Sequence, residues 1–200
     1  MRNVFAVFIA IFLLLPPAMA QEETPLQQKA ALPNQTLEQK RAARLDDLFA
    51  SLKRESNEVK AARIAAQIQA QWQNSGSATV DLMMGWSAKA MENKKFSVAL
   101  DFLDQVVVMK PDYAEGWNRR ATLNFMMNDY GRSMADIQKT LALEPRHFGA
   151  MAGMAAILKD TGRKEAALQA FERILTVYPM LREAQKQAGE LADELTGQRT

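Results

Sequence analysis

The sequence predicts an all-α helical-repeat solenoid: three antiparallel helix hairpins, with a further helical hairpin before them and a capping helix after them. Three observations predict it. After residue 33 the only prolines are Pro111, Pro145 and Pro179, spaced 34 residues apart twice over, and a fixed period of that size marks a stacked repeat. Laid in phase from Val80, Ala114 and Phe148, the segments between them match bulky residue to bulky and small to small. Those matches fall at spacings of three and four, the period of a helix with one buried face.

The elements follow in chain order. Residues 1–20, "MRNVFAVFIAIFLLLPPAMA", have a basic end at Arg2, an apolar run from Val4 to Leu15, and small residues at Ala18 and Ala20. That is the pattern of a cleaved export signal. Twelve apolar residues rise only about 18 Å as a helix, against about 30 Å for a bilayer core, so a stable membrane span is not expected. Residues 21–35 are polar and broken by Pro25 and Pro33, a flexible lead-in with too few apolar groups to fold alone. Residues 36–76 read as a helical hairpin broken near 55–58. Leu45, Leu48, Phe49 and Leu52 form one stripe, and Ile64, Ala65, Ile68 and Trp72 the other. This hairpin is expected to stack on the amino-terminal side of the repeats. Its rival use is self-association into a homo-oligomer through residues 36–72.

The three repeats span 80–113, 114–147 and 148–181. Their fourth residues are Met83, Trp117 and Met151; their eighth, Ser87, Ala121 and Ala155; their twentieth, Ala99, Ser133 and Ala167. Large residues facing small ones let two helices approach and interlock. Turns are expected at 92–95, 127–131 and 160–164, and each proline ends a second helix because it cannot donate the helical hydrogen bond. Residues 181–196 continue as one helix with an apolar stripe through Leu181, Ala184, Ala188, Leu191 and Leu195. Its other face is charged, as the end of a solenoid must be to stay in water.

This pattern resembles the tetratricopeptide repeat (TPR). Trp117, Ala121, Tyr130, Ser133 and Pro145 carry the resemblance in the middle unit, and Ala155, Leu158, Gly162, Ala167, Phe171 and Pro179 in the last. Arg120 stands where the family has leucine, Asn124 where it has an aromatic, Met83 where it has tryptophan, and Lys94 occupies a turn position.

Composition argues against catalysis. With one histidine, His147, and no cysteine, the chain offers no thiol and a single imidazole base. Zinc fails on ligand count, and neither calcium loop, phosphate loop nor cofactor motif is found. The carboxylates Asp101 and Asp104 share a helix face that reads as solvated. His147 is expected to be a solvated loop residue between two repeats. Basic and acidic residues number 25 and 23, and no basic stripe with interleaved aromatics marks a nucleic-acid partner. The chain reads as a non-enzyme without metal or cofactor.

The resemblance implies where a partner would lie. Groove-facing positions of the family carried onto this chain give Met84, Ala88 and Met91 in the first unit. The second gives Asn118, Thr122, Phe125 and Met126, and the third Ala152 and Ala156. The lysine, asparagine and arginine with which some TPR proteins grip a carboxyl terminus are echoed only by Asn118 and, beside it, Arg119. The expected partner is therefore an apolar or amphipathic segment of another protein, held against adaptable methionine. With the leader, this implies an adaptor or scaffold of the cell envelope, in the periplasm of an outer-membrane bacterium.

Overall fold

A computed structural model describes residues 36–197, which form nine α-helices and no strand. The expected leader, 1–20, and lead-in, 21–35, lie outside the described residues. Helices α1 (Leu37–Arg54) and α2 (Glu58–Gln73) make the first hairpin. Three more follow: α3 (Ala78–Glu92) with α4 (Phe96–Met109), α5 (Ala114–Met126) with α6 (Tyr130–Leu143), and α7 (Phe148–Asp160) with α8 (Lys164–Val177). Helix α9 (Arg182–Gly197) closes the stack against α8. Among the described residues no helix is long and apolar enough to cross a membrane.

The three repeat hairpins turn in the same way. Lys94, Asn128 and Gly162 all take left-handed backbone, with φ of 57°, 59° and 73°. The next residue then donates its N–H to a carbonyl five positions back: Lys95 to Ala90, Asp129 to Asn124, Arg163 to Leu158. This is the closure a helix end makes to satisfy its last carbonyls. Lys94 therefore does glycine's work at a local cost of about 1 kcal/mol, and the departure noted at this turn leaves the turn intact. Inside each hairpin the paired small residues, Ser87 with Ala99, Ala121 with Ser133 and Ala155 with Ala167, are all buried. Ser133 Oγ donates to the Ala121 carbonyl at 2.8 Å, so the two backbones nearly touch.

Two caps fix the first hairpin. Thr36 and Gln39 bond each other's backbone at the start of α1, and the Asn57 side chain accepts from Lys60 N–H at the start of α2. The hairpin does not stack on the first repeat, which corrects the expectation above. Phe49, Leu52, Ala61, Ala65, Ile68 and Trp72 share one apolar core with Phe148, Met151, Phe171, Ile174, Tyr178 and Leu191, all on or beside α7, α8 and α9. The residues that close the repeats meet it: Tyr113 Oη donates to the Gln73 carbonyl, and the His147 ring stacks on Trp72. Salt bridges from Arg146 to Asp46 and from Arg182 to Glu58 tie its length along that loop edge. The physical reason is the connection at 74–77. Gly76 has φ of +79°, Asn74 Oδ1 accepts its N–H, and Asp81 accepts from Ser75 N–H, a local turn after which α3 makes little contact with α2. Phe49, Leu52, Ala65, Ile68 and Trp72 are buried within the chain, and Leu45, Leu48 and Ile64 are half-buried against the same core, so both stripes face largely inward.

Candidate functional site

A groove runs between α5 and α7, the first helices of the second and third repeats. Its apolar half is a cavity of about 220 Å³ lined by Ala121, Thr122 and Phe125 of α5, Ile137 of α6, and Gly149, Ala150 and Gly153 of α7. The room comes from α7, where two glycines four residues apart expose bare backbone on one helix face. Phe125 is half-buried, and its ring lies 5.5 Å from that of Tyr130, whose hydroxyl donates to Asp160.

Asn118 and Gly149 continue the groove into a second cavity of about 270 Å³, walled also by Gln69, Trp72 and Gln73 of α2 and by Glu115, Arg119 and His147. This half is polar. The buried Glu115 carboxylate accepts from Asn118 Nδ2 at 2.9 Å, from Arg119 Nη2 at 3.0 Å and from His147 Nε2 at 3.2 Å. Burial alone would raise its pKa, but the His147 ring and the Arg119 guanidinium outweigh that and hold it below the ordinary 4.5.

His147 is only 2 % exposed, so the solvated histidine expected from the sequence is corrected. Its Nδ1 accepts the Ala150 N–H at 3.1 Å and so caps α7, which places the ring proton on Nε2, aimed at Glu115. Trp72 stacks on the ring at 4.0 Å, and both ring nitrogens are engaged in hydrogen bonds. Its work is structural. It joins a helix start, a groove carboxylate and the first hairpin in one contact.

A pH effect follows. Glu115 has a lowered folded pKa, so its contribution is complete above pH 4.5 and fades as pH falls through the lowered value. The stability gap between the parent and Glu115→Gln is therefore expected to be widest at neutral pH and to shrink in acid. Urea titrations from pH 7 to pH 3 check this, and a gap constant across that range would contradict it.

No protein-family model matches the chain. It is 50% identical over 192 residues to a TPR repeat-containing protein of Rhizobium etli, an alignment covering 94% of each chain. The chain belongs to the TPR repeat family. A weaker similarity, 23% over 89 residues, links it to small glutamine-rich tetratricopeptide repeat-containing protein 2 of Saccharomyces cerevisiae, covering 44% of this chain and 26% of that one. Among solved structures, the first TPR of Spaghetti bound to an HSP90 peptide superposes with a TM-score of 0.57 at 19% identity, covering 60% of this chain and 95% of that one. The Sgt2 TPR domain of Aspergillus fumigatus gives 0.57 at 15%, covering 62% and 84%. A crystal structure of MamA gives 0.53 at 17%, covering 77% and 82%.

Of the TPR groove positions named from the sequence, the structure brings Asn118, Thr122 and Phe125 together around one cavity. Met126 is 45 % exposed beside them. Ala88, Ala152 and Ala156 are half-buried, with Ala152 packed on the core that holds the first hairpin. Met84 is 8 % exposed within the first-repeat core, and Met91 is half-buried against it. Sequence reasoning missed Gln69, Trp72 and Gln73, because α2 had no assigned place beside the groove. The glycines at 149 and 153 were the legible signal of its floor.

The two TPR departures in the middle unit turn out to be one feature. Arg120 donates to both oxygens of Asp136, at 2.9 and 2.7 Å, and to Asp104 at 2.8 Å, while Asn124 Nδ2 donates to Asp136 at 3.1 Å. Asp136 is 4 % exposed and Asn124 1 %. A charged network thus fills the space in which other TPR units place leucine and an aromatic ring.

Proposed function

We propose that this TPR protein is a non-catalytic adaptor or scaffold of the cell envelope, and that it holds a segment of a partner protein in the groove between α5 and α7. The observation that carries the reading is the groove's two-part lining. Phe125, Ile137 and the backbone of Gly149 and Gly153 offer an apolar trough. Asn118, Gln69, Gln73 and Arg119 stand at its polar end, where an extended peptide backbone needs donors and acceptors. The superposed Spaghetti domain, bound to an HSP90 peptide, supports this use of the fold. The partner segment is apolar or amphipathic, with its apolar side chains toward Phe125 and its polar end under α2. The envelope setting rests on the export-type leader of residues 1–20. The rival, a structural homo-oligomer built through residues 36–72, is disfavoured because Phe49, Leu52, Ile68 and Trp72 are buried within the chain.

The test is a pull-down from envelope extract with immobilised protein, run beside Phe125→Glu of matched helicity. A partner retained by the parent should fall at least tenfold with the variant, which sets a charge in the trough at a cost above about 1.4 kcal/mol. Equal retention by both proteins would remove the groove from the account. Sequencing the amino terminus of the exported protein tests the leader, with Gln21 expected first.

A further inference from the structure

We propose that the free end of the first repeat, the outer face of α3 and α4, is a self-association surface that pairs with a second copy of this chain about a twofold axis. The repeat itself identifies the surface. In the second unit the third and seventh residues of the first helix touch the hairpin before it. A Cβ on Gly116 would fall 2.8 Å from Val106 Cγ1, and Arg120 reaches Asp104 at 2.8 Å. In the third unit the same places hold Ala150, which is buried, and Met154, which packs with Ile137. In the first unit they hold Leu82 and Trp86, which are 50 % and 46 % exposed. Val98 stands beside them at 42 % exposure, and the Phe102 ring lies 5.4 Å from Trp86. Among the described residues a hairpin-stacking face is thus apolar with no hairpin on it, because α1 and α2 lie elsewhere. The end repeats of a solenoid in water carry polar outer faces, and this one does not.

Three observations select a second copy as the occupant. The opposite end of the stack is polar: α9 turns Arg182, Glu183, Lys186, Glu190 and Asp193 outward. Head-to-tail growth would press those charges onto Trp86, whereas a single adhesive end per chain closes into a pair. Second, the face is self-complementary in charge. Lys89 on α3 and Asp101 on α4 are exposed, and an axis between the two helices lays each copy's α3 over the other's α4. Counted from the turn at Lys94, Lys89 lies about 8 Å up its helix and Asp101 about 10 Å. Trp86 and Phe102 both lie at about 12 Å. The twofold therefore sets lysine against aspartate and Trp86 against Phe102 at the same height. Third, the area is appropriate. Two helices of 15 and 14 residues present a face of roughly 22 by 20 Å, below the ~800 Å² per partner of a standard interface. The pair should then form at micromolar concentration, as a reversible association rather than an obligate one.

Sedimentation velocity of the purified protein over about 1–300 μM tests this, since a concentration-linked change of mass is the signature of association. The parent should pass from one chain to two. Trp86→Glu, at a half-exposed site, should stay at one chain with unchanged circular dichroism. Lys89→Glu should weaken association about tenfold, and Lys89→Glu with Asp101→Lys should restore it to within about threefold. A single chain at every concentration overturns the proposal. So does a dimer indifferent to Trp86→Glu, or assembly that runs past two chains. If the parent is monomeric and pairs only after residues 21–35 are removed, the face belongs to the chain's own lead-in, and the proposal also fails.

Discussion

Trp72→Ala is expected to lower the free energy of unfolding by about 3–5 kcal/mol, the range for emptying a buried aromatic site. For a chain of this size that is a fall in melting temperature of roughly 10 °C. Trp72 is 9 % exposed and is the hub of the first hairpin's attachment. It stacks on His147 at 4.0 Å and meets Phe148 at 5.0 Å and Phe49 at 5.8 Å. Truncation leaves those three rings facing a hole and frees α2 from the groove wall. Hydrogen exchange across 37–73 should therefore rise more than exchange in α5 and α6. The indole carries one burden of its own, since its buried Nε1–H has no partner among the described residues. An orphaned buried donor is unfavourable by about 1–3 kcal/mol. Trp72→Phe keeps most of the ring and removes that donor, so it should lose less than half as much as Trp72→Ala. A loss below about 1 kcal/mol for the alanine variant would mean that the hairpin is held by its surface salt bridges instead.

The second large effect is expected at Arg120. Arg120→Leu restores the residue common in TPR units, yet it should destabilise by about 3 kcal/mol, because it leaves the nearly buried Asp136 carboxylate without its guanidinium. The Asp136 hydrogen bonds, first among the causes, raise the Arg120 pKa, so the guanidinium stays charged at every pH a protein tolerates. Removing all three polar partners together is another matter. Arg120→Leu with Asn124→Leu and Asp136→Ala replaces a desolvated network by apolar packing, and should come within about 1 kcal/mol of the parent. Thermal melts of the single and triple variants check both statements. A triple variant as weak as the single one would show that the space cannot be filled by apolar side chains.

The repeat was legible because a stacked hairpin writes its geometry at fixed spacing. Pro111, Pro145 and Pro179 end second helices, and Ser87, Ala121 and Ala155 sit where backbones touch. The place of the first hairpin was not legible. Its stripes, Leu45 to Leu52 and Ile64 to Trp72, show which faces are apolar but not which other face receives them. That is decided by the turn at 74–77 and by residues about a hundred positions away on α7 to α9. His147 was misjudged for the same reason. A histidine after Glu-Pro-Arg looks solvated until Trp72 arrives from a distant part of the chain to cover it. The groove was legible only in part. Asn118, Thr122 and Phe125 follow from family positions on a regular helix, whereas Met84 is buried in the first-repeat core and Met91 is half-buried against it.

The strap that α1 and α2 lay along the loop edge has a consequence for synthesis. Most solenoids assemble from neighbour contacts, so each unit can fold as it leaves the ribosome. Here the first two helices complete their core only with α7 to α9, through partners such as Asp46 with Arg146 and Glu58 with Arg182, 100 and 124 residues apart. At about 5–20 residues per second, a stretch of that length takes on the order of 5–25 s to appear. For that interval Phe49, Leu52, Ile68 and Trp72 are exposed on a nascent chain with nothing to cover them. The first hairpin therefore stays without its core until the last repeat exists.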